Sequence, residues 1–240
     1  MLRLLGYIWF AFGVYWILLA PRPGADSGSR SGRPLKLTAL AVLLALLFWR
    51  RDAIPPLWLT LLGLLWAVMA LYWIAPAKPA RSGEHPLYRL LRIAILSFTF
   101  ALLFWPNARG FLGTRLFPPL LPFAALGFLL ALSGLSVSLW ARVHLGQYWS
   151  DKVVLQPEHQ LVRTGPYRHV RHPIYTGVLL AVLGTALVLN QWRGLLAFAL
   201  LLLNYAIKAK REERILTVRF GNGFLEYAKQ TGFLLPRLRL

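Results

Sequence analysis

Apolar runs long enough to cross a lipid bilayer recur along the whole chain, and they limit its possible folds more than any other feature. A helix needs roughly 20 mainly apolar residues to span the hydrocarbon core. Such segments lie near Leu4–Ala20, Leu37–Trp49, Leu57–Ile74, Leu91–Trp105, Leu120–Trp140, Tyr175–Leu189 and Leu195–Ile207. The second and fourth are short for a full span. With 58% hydrophobic and 15% charged residues, a soluble domain is not expected. The expected fold class is all-α, a polytopic transmembrane helical bundle of about seven spans. Only Asn190 to Gly194 separates the last two segments, so they should form an antiparallel helix hairpin.

The formal net charge is +19. In a soluble chain that excess would point to nucleic acid. Here the basic residues flank apolar segments, as expected for loops facing anionic lipid. The expected partner is the bilayer, with no nucleic acid. Cytoplasmic loops carry the excess of Lys and Arg, which sets an orientation with the N-terminus outside. The outside loops then hold only Arg3, Arg50, Arg51, Arg109, Arg115 and Arg193 of the 27 basic residues. Loss of one short span would spoil this pattern. The C-terminus is expected in the cytoplasm. The bias toward Leu, Ala and Arg suggests a bacterial inner membrane. The chain has no Cys, which excludes disulfides and thiolate metal sites.

A helix pair reads as duplicated. Gly6, Trp9 and Tyr15-Trp16-Ile17 recur as Gly63, Trp66 and Tyr72-Trp73-Ile74. Ala45 to Trp49 recurs as Ala101 to Trp105, and Pro55-Pro56-Leu57 as Pro118-Pro119-Leu120. Chance likeness among Leu- and Trp-rich segments is the alternative. The repeat argues against reading the first segment as a signal peptide. It also suggests a division into 1–118, N-terminal helices, and 119–240, a core. Arg22 to Pro34 reads as a flexible linker. Val153 to Val162 reads as a small hairpin or extended loop with a Pro-led turn.

Against this apolar background, the polar and aromatic run Leu161 to Gly177 needs a reason. It holds His169 and His172, two of the five histidines. Pro173 suits the first turn of a helix, which puts His172 near the N-cap. Unpaired N–H groups and the positive dipole end there suit a carboxylate or phosphate. Arg168 and Arg171 add charge at that end, or else meet lipid headgroups, and His172 reads equally as an ordinary interfacial histidine. The second polar cluster runs from Lys208 to Glu213. Lys208 and Glu212 share a helix face, while Lys210 and Glu213 lie on others. A surface ion pair of little worth is the alternative. His169 and His172 lack a third ligand, so no metal is expected. HExxH, Walker, GxGxxG and GxSxG motifs are absent.

Together the two clusters resemble the isoprenylcysteine carboxyl methyltransferase family and the related phospholipid methyltransferases. The resemblance rests on His159, Leu161, Val162, Gly165, Pro166, Tyr167, Arg171, His172, Pro173, Tyr175 and Gly177, then on Glu212, Glu213, Leu216, Phe220, Gly221 and Tyr227. Leu145-Gly146 and Trp149-Ser150 also look like the family. It covers about Leu120 to Leu240. It implies S-adenosylmethionine as methyl donor, with S-adenosylhomocysteine as product. The site would sit at the cytoplasmic face, built from the loop before the sixth span and the C-terminal helix. By motif position, the cofactor contacts would be His159, Gln160, Leu161, Val162, Tyr167, His172, Pro173, Ile174, Tyr175 and Glu212, with Lys152 at a further polar contact. Lys208 stands where the family has a basic residue facing the substrate, commonly Arg. Glu213 is the nearest base, should the acceptor be an amine.

The implied function is methylation of a lipidic or lipidated acceptor, a small molecule or a protein, with O-methylation of a carboxylate first. A carboxylate is already ionised at pH 7 and needs no base. Phospholipid N-methylation is the alternative within the class. Outside it stand a sterol-type membrane reductase using NADPH and a non-catalytic lipid-binding protein.

Overall fold

The computed structural model describes residues 57–74, 86–104, 108–118, 120–146 and 161–237. Among these residues the architecture is all-helical: α1 Leu57–Ile74, α2 Pro86–Phe104, α3 Leu121–Leu145, α4 Pro173–Leu189, α5 Trp192–Phe220 and α6 Asn222–Gln230. Short 3-10 turns lie at Phe111–Gly113 and Gly165–Arg168. The segments near Leu4–Ala20 and Leu37–Trp49, and with them the first copy of the repeat, lie outside the described residues. So does most of the hairpin expected at Val153 to Val162.

Helices α3 and α5 are long and apolar enough to cross a membrane by length and composition; α1, α2 and α4 contribute shorter apolar stretches. Large apolar side chains point outward, among them Val68, Phe98, Leu129 and Leu203, each more than half exposed. An apolar outer surface of this kind suits lipid rather than water.

The core begins at the crossing of α3 and α4. A Cβ built on Gly134 would overlap the carbonyl of Gly177 and the amide of Ala181. One on Gly184 would overlap the carbonyl of Gly127 and the amide of Ala131. Small residues thus let two backbones touch, which is how helices associate where lipid removes the hydrophobic drive between them. Ser138 closes the same seam by donating to the carbonyl of Ile174 at 3.0 Å.

The other helices wrap this pair. Trp66 of α1 is 2% exposed and meets Phe100 and Phe104 of α2 edge-on. Its indole donates to Thr185 of α4 at 3.0 Å, which satisfies a buried N–H. Helix α2 lies along α5, where Asn204 donates to the carbonyl of Arg92 at 3.3 Å. The described helices of 1–118 therefore share one core with those of 119–240.

The expected hairpin is present, with a tighter turn: α4 ends at Leu189 and α5 begins at Trp192. Asn190 caps α4 in the left-handed conformation, φ 52°, where Asn is among the best tolerated side chains. Its amide accepts from the N–H groups of Leu116 and Phe117 and donates to the carbonyl of Phe117. Arg115 bridges Gln191 at this end. The opposite end gathers Arg142, Arg171 and Lys208.

Replacing Gly184 with Ala should cost about 1–3 kcal/mol, the usual range for overpacking a tight core. Thermal unfolding in detergent measures it; an unchanged midpoint would mean that the α3–α4 contact yields freely.

Candidate functional site

The turn before α4 is built by local sequence. Gly165 adopts φ +58°, and a Cβ there would meet the His144 ring at 2.8 Å, so both the backbone and the space favour glycine. The neighbouring Thr164 hydroxyl lies 2.7 Å from His144 Nε2. Pro166 and Tyr167 are buried. The Tyr167 carbonyl accepts a hydrogen bond from the Tyr227 hydroxyl of α6 at 2.7 Å. Burial pushes the Tyr227 phenol up to about 12 and raises that of Tyr167 further, so both stay protonated and neutral at ordinary pH.

His172 is the N-cap of α4, with Pro173 at the start of the helix. This is the placement that the Pro173 position implied. Pro173 has no N–H to leave unsatisfied there. The His172 ring is buried and bracketed by carboxylates: Nε2 lies 3.2 Å from Glu213 Oε1, and Nδ1 lies 3.6 Å from Glu212 Oε2. Tyr175, one helical turn on, stacks parallel to it at 5.5 Å between centroids.

Both carboxylates come from α5, which runs on far beyond the apolar stretch ending near Ile207 and reaches Phe220. This extension carries Lys208 to Glu213 over the start of α4. The Tyr175 hydroxyl donates to Glu212 Oε1 at 2.6 Å. Lys208 is buried, with Nζ 3.7 Å from the same oxygen and 5.2 Å from the centre of the Tyr175 ring. The shared face of Lys208 and Glu212 is as the helix spacing required. Glu213, expected on another face, nevertheless reaches the same imidazole, because adjacent helical residues diverge by only about 100° and His172 lies between them.

The structure thus brings together Tyr175, His172, Glu212, Glu213 and Lys208. Leu161 and Val162 form an irregular, half-buried approach to the turn. Ile174 is half-buried, its carbonyl bound by Ser138. Lys152, His159 and Gln160 lie outside the described residues. Among the described residues no group of three or more His, Asp and Glu could hold a metal ion.

Two contributors were not singled out as site residues from sequence. Tyr205 of α5 stacks on Tyr175 at 4.6 Å. It sits three residues before Lys208, so the spacing Tyr205, Lys208, Glu212 marks one helix face. Arg171 is the second. Its Nε donates to Glu213 Oε1 at 2.5 Å, and its other arm donates to the carbonyls of Ala228 at 2.9 Å and Thr231 at 2.5 Å. A guanidinium supplies such a divergent set of donors where an ammonium cannot.

Residues 125–218 match the model of the isoprenylcysteine carboxyl methyltransferase (ICMT) family. Over those residues the chain is similar to proteins of that family. The matched region runs from α3 to near the end of α5 and contains His172, Tyr175, Lys208, Glu212 and Glu213. A protein-S-isoprenylcysteine O-methyltransferase of Schizosaccharomyces pombe is 34% identical over 116 residues, 47% of this chain and 48% of that protein. A cobalt-zinc-cadmium resistance protein of Cupriavidus metallidurans is 32% identical over 148 residues, 61% of this chain and 62% of that protein. An uncharacterized protein of Bacillus subtilis is 34% identical over 77 residues, 31% of this chain and 46% of that protein. The chain therefore spans less than two thirds of the length of each of these relatives.

Arg171→Lys should lower stability by about 1–3 kcal/mol, because acceptors on α5, in α6 and just after it lose a shared donor. Thermal unfolding checks it. An unaltered midpoint would mean that backbone pairing alone holds the C-terminal segment in place.

Proposed function

We propose that the chain is an integral membrane methyltransferase that uses S-adenosylmethionine to methylate a lipidic or lipidated acceptor. The first choice of reaction is O-methylation of a carboxylate. The observation that carries this reading is the hydrogen bond between Tyr175 and Glu212 at 2.6 Å. It joins the two halves of the family pattern into one cluster of aromatic, basic and acidic side chains. The relatives named protein-S-isoprenylcysteine O-methyltransferases support it, with an S-prenylated cysteine as the model acceptor.

The residues present fit the cofactor. Glu212 has acceptor capacity beyond its bond from Tyr175, suited to ribose hydroxyls or an amino group. Tyr175, stacked between His172 and Tyr205, is an aromatic surface suited to a sulfonium. When bound, the cofactor supplies an electrophilic methyl group for in-line displacement. The chain's part is to align the acceptor and exclude water. Lys208, buried beside Tyr175, would hold the acceptor's anionic group. Leu161, Val162, Tyr167, Pro173 and Ile174 would line the approach, with Lys152, His159 and Gln160 completing it.

Glu213 bears on the choice of acceptor. Its Oε1 takes the Arg171 hydrogen bond and lies against His172. A carboxylate engaged in this way is poorly placed to take a proton from an amine. That supports a carboxylate acceptor over phospholipid N-methylation.

Our reading of the whole chain keeps about seven spans, a catalytic core at 119–240 and an added N-terminal helix pair in 1–118. It puts the protein in a bacterial inner membrane, with the site and C-terminus in the cytoplasm. The acceptor would enter sideways from the bilayer.

Calorimetric titration of the detergent-purified protein with S-adenosylhomocysteine, against NADPH as comparison, tests the class. Binding of S-adenosylhomocysteine alone is expected; binding of NADPH alone would move the protein to the reductases. Glu212→Ala should weaken S-adenosylhomocysteine about tenfold or more, since charged hydrogen bonds are lost. Unchanged affinity would take Glu212 out of the cofactor site. Lys208→Ala should cut turnover of an S-prenylated cysteine while leaving S-adenosylhomocysteine affinity within about threefold. Abolished cofactor binding would instead put Lys208 on the cofactor side.

A further inference from the structure

Beyond the matched region, the chain returns across the start of α4. Three sets of contacts seat this return. The N–H of Arg171 donates to the carbonyl of Gly232 at 2.9 Å, and the N–H of Gly232 donates to the carbonyl of His169 at 3.1 Å. The Arg171 guanidinium ties the carbonyls of Ala228 and Thr231, while the Thr176 hydroxyl donates to the carbonyl of Leu234 at 2.6 Å. Between these ties sits Phe233. Its ring meets the His172 imidazole almost perpendicularly, 78° between planes and 5.4 Å between centroids. Thr231 and Gly232 are buried, Phe233 and Leu234 half-buried, and Leu235 is exposed.

Five hydrogen bonds converge on this short stretch beside one histidine. The imidazole has carboxylates at both nitrogens and Tyr175 parallel to its plane. Phe233 supplies a second aromatic contact among the described residues. Edge-to-face aromatic pairs have a preferred geometry, so the contact constrains ring rotation as well as filling space.

We propose that the segment Thr231–Leu235 is a wall of the methyl-transfer site and that Phe233 is a positioning residue, setting the plane of the His172 ring for cofactor binding. The wall rests on the geometry; its service to the cofactor rests on the methyltransferase reading.

The test uses the full-length protein in detergent, with Phe233→Leu to keep apolar bulk and Phe233→Tyr to keep the ring. The first readout needs no ligand: the rate at which diethyl pyrocarbonate modifies His172, followed by mass spectrometry against exposed His169 in the same chain. Phe233→Leu should raise the His172 rate about threefold or more with the unfolding midpoint within about 2 °C, while Phe233→Tyr stays near the unaltered rate. The second readout is S-adenosylhomocysteine affinity, expected to fall about three- to tenfold in Phe233→Leu and to hold in Phe233→Tyr. An unmoved His172 rate in Phe233→Leu overturns the wall. Equal losses in both variants with lowered midpoints reduce Phe233 to a structural residue and overturn its positioning role. If His172 responds but the unaltered protein does not bind S-adenosylhomocysteine, the wall stands and the methyltransferase reading falls.

Discussion

The contact of α3 with α4 is the constraint on which the rest of the structure depends. Gly127, Ala131, Gly134 and Ser138 on one helix face Gly177, Ala181 and Gly184 on the other. Apolar bulk cannot drive such a pairing in lipid, because lipid chains solvate Leu as well as another helix does. Backbone proximity and a few polar contacts do it instead. The seam carries the N-terminus of α4 to the end of α3, where His172 emerges. It also leaves the larger side chains on flanking surfaces, where Trp66 of α1 and Leu201 of α5 fill the remaining core. Every site distance depends on how closely these two backbones approach.

The second theme is how charge is housed beside so apolar a body. Buried charges are tolerated where each is hydrogen-bonded and paired. Arg171 meets that condition with one carboxylate and two carbonyls. Arg142, buried at the end of α3, lies over the rings of Tyr72 at 4.8 Å and Trp73 at 4.6 Å. Glu212 and Glu213, neighbours in sequence, are given different company. Glu213 is committed to Arg171 and His172, whereas Glu212 faces Tyr175 and Lys208. The first ties structural elements together and the second borders the candidate site.

Much of this was legible in the residues. The apolar run Leu57–Ile74 is helical throughout, as α1. Pro173 after His172 announced a helix start, and the spacing of Lys208 and Glu212 announced their shared face. Helix ends were less legible. Hydropathy reads lipid contact rather than helicity, so the apolar run of α5 stops near Ile207 while the helix, whose continuation the Lys208–Glu212 spacing implied, runs to Phe220 through good helix formers. Helix α2 is likewise already helical at Pro86, a turn ahead of its apolar run. Arg171 read as charge at the start of α4 or as a headgroup contact, because nothing local reveals that the carbonyls of Ala228 and Thr231 will come to it.

Sequence by itself determined the class of solvent, the apolar helices, the turn residues and the two polar clusters, because each follows from composition or spacing within a few turns of chain. It also supplied the family resemblance, a pattern of residue types at fixed separations. Tertiary structure alone decided which carboxylate serves Arg171 and which serves Tyr175, and that Tyr205 and Phe233 come against Tyr175 and His172. Those outcomes depend on contacts between residues tens of positions apart, and such contacts are set by how closely helices pack, which local spacing does not encode.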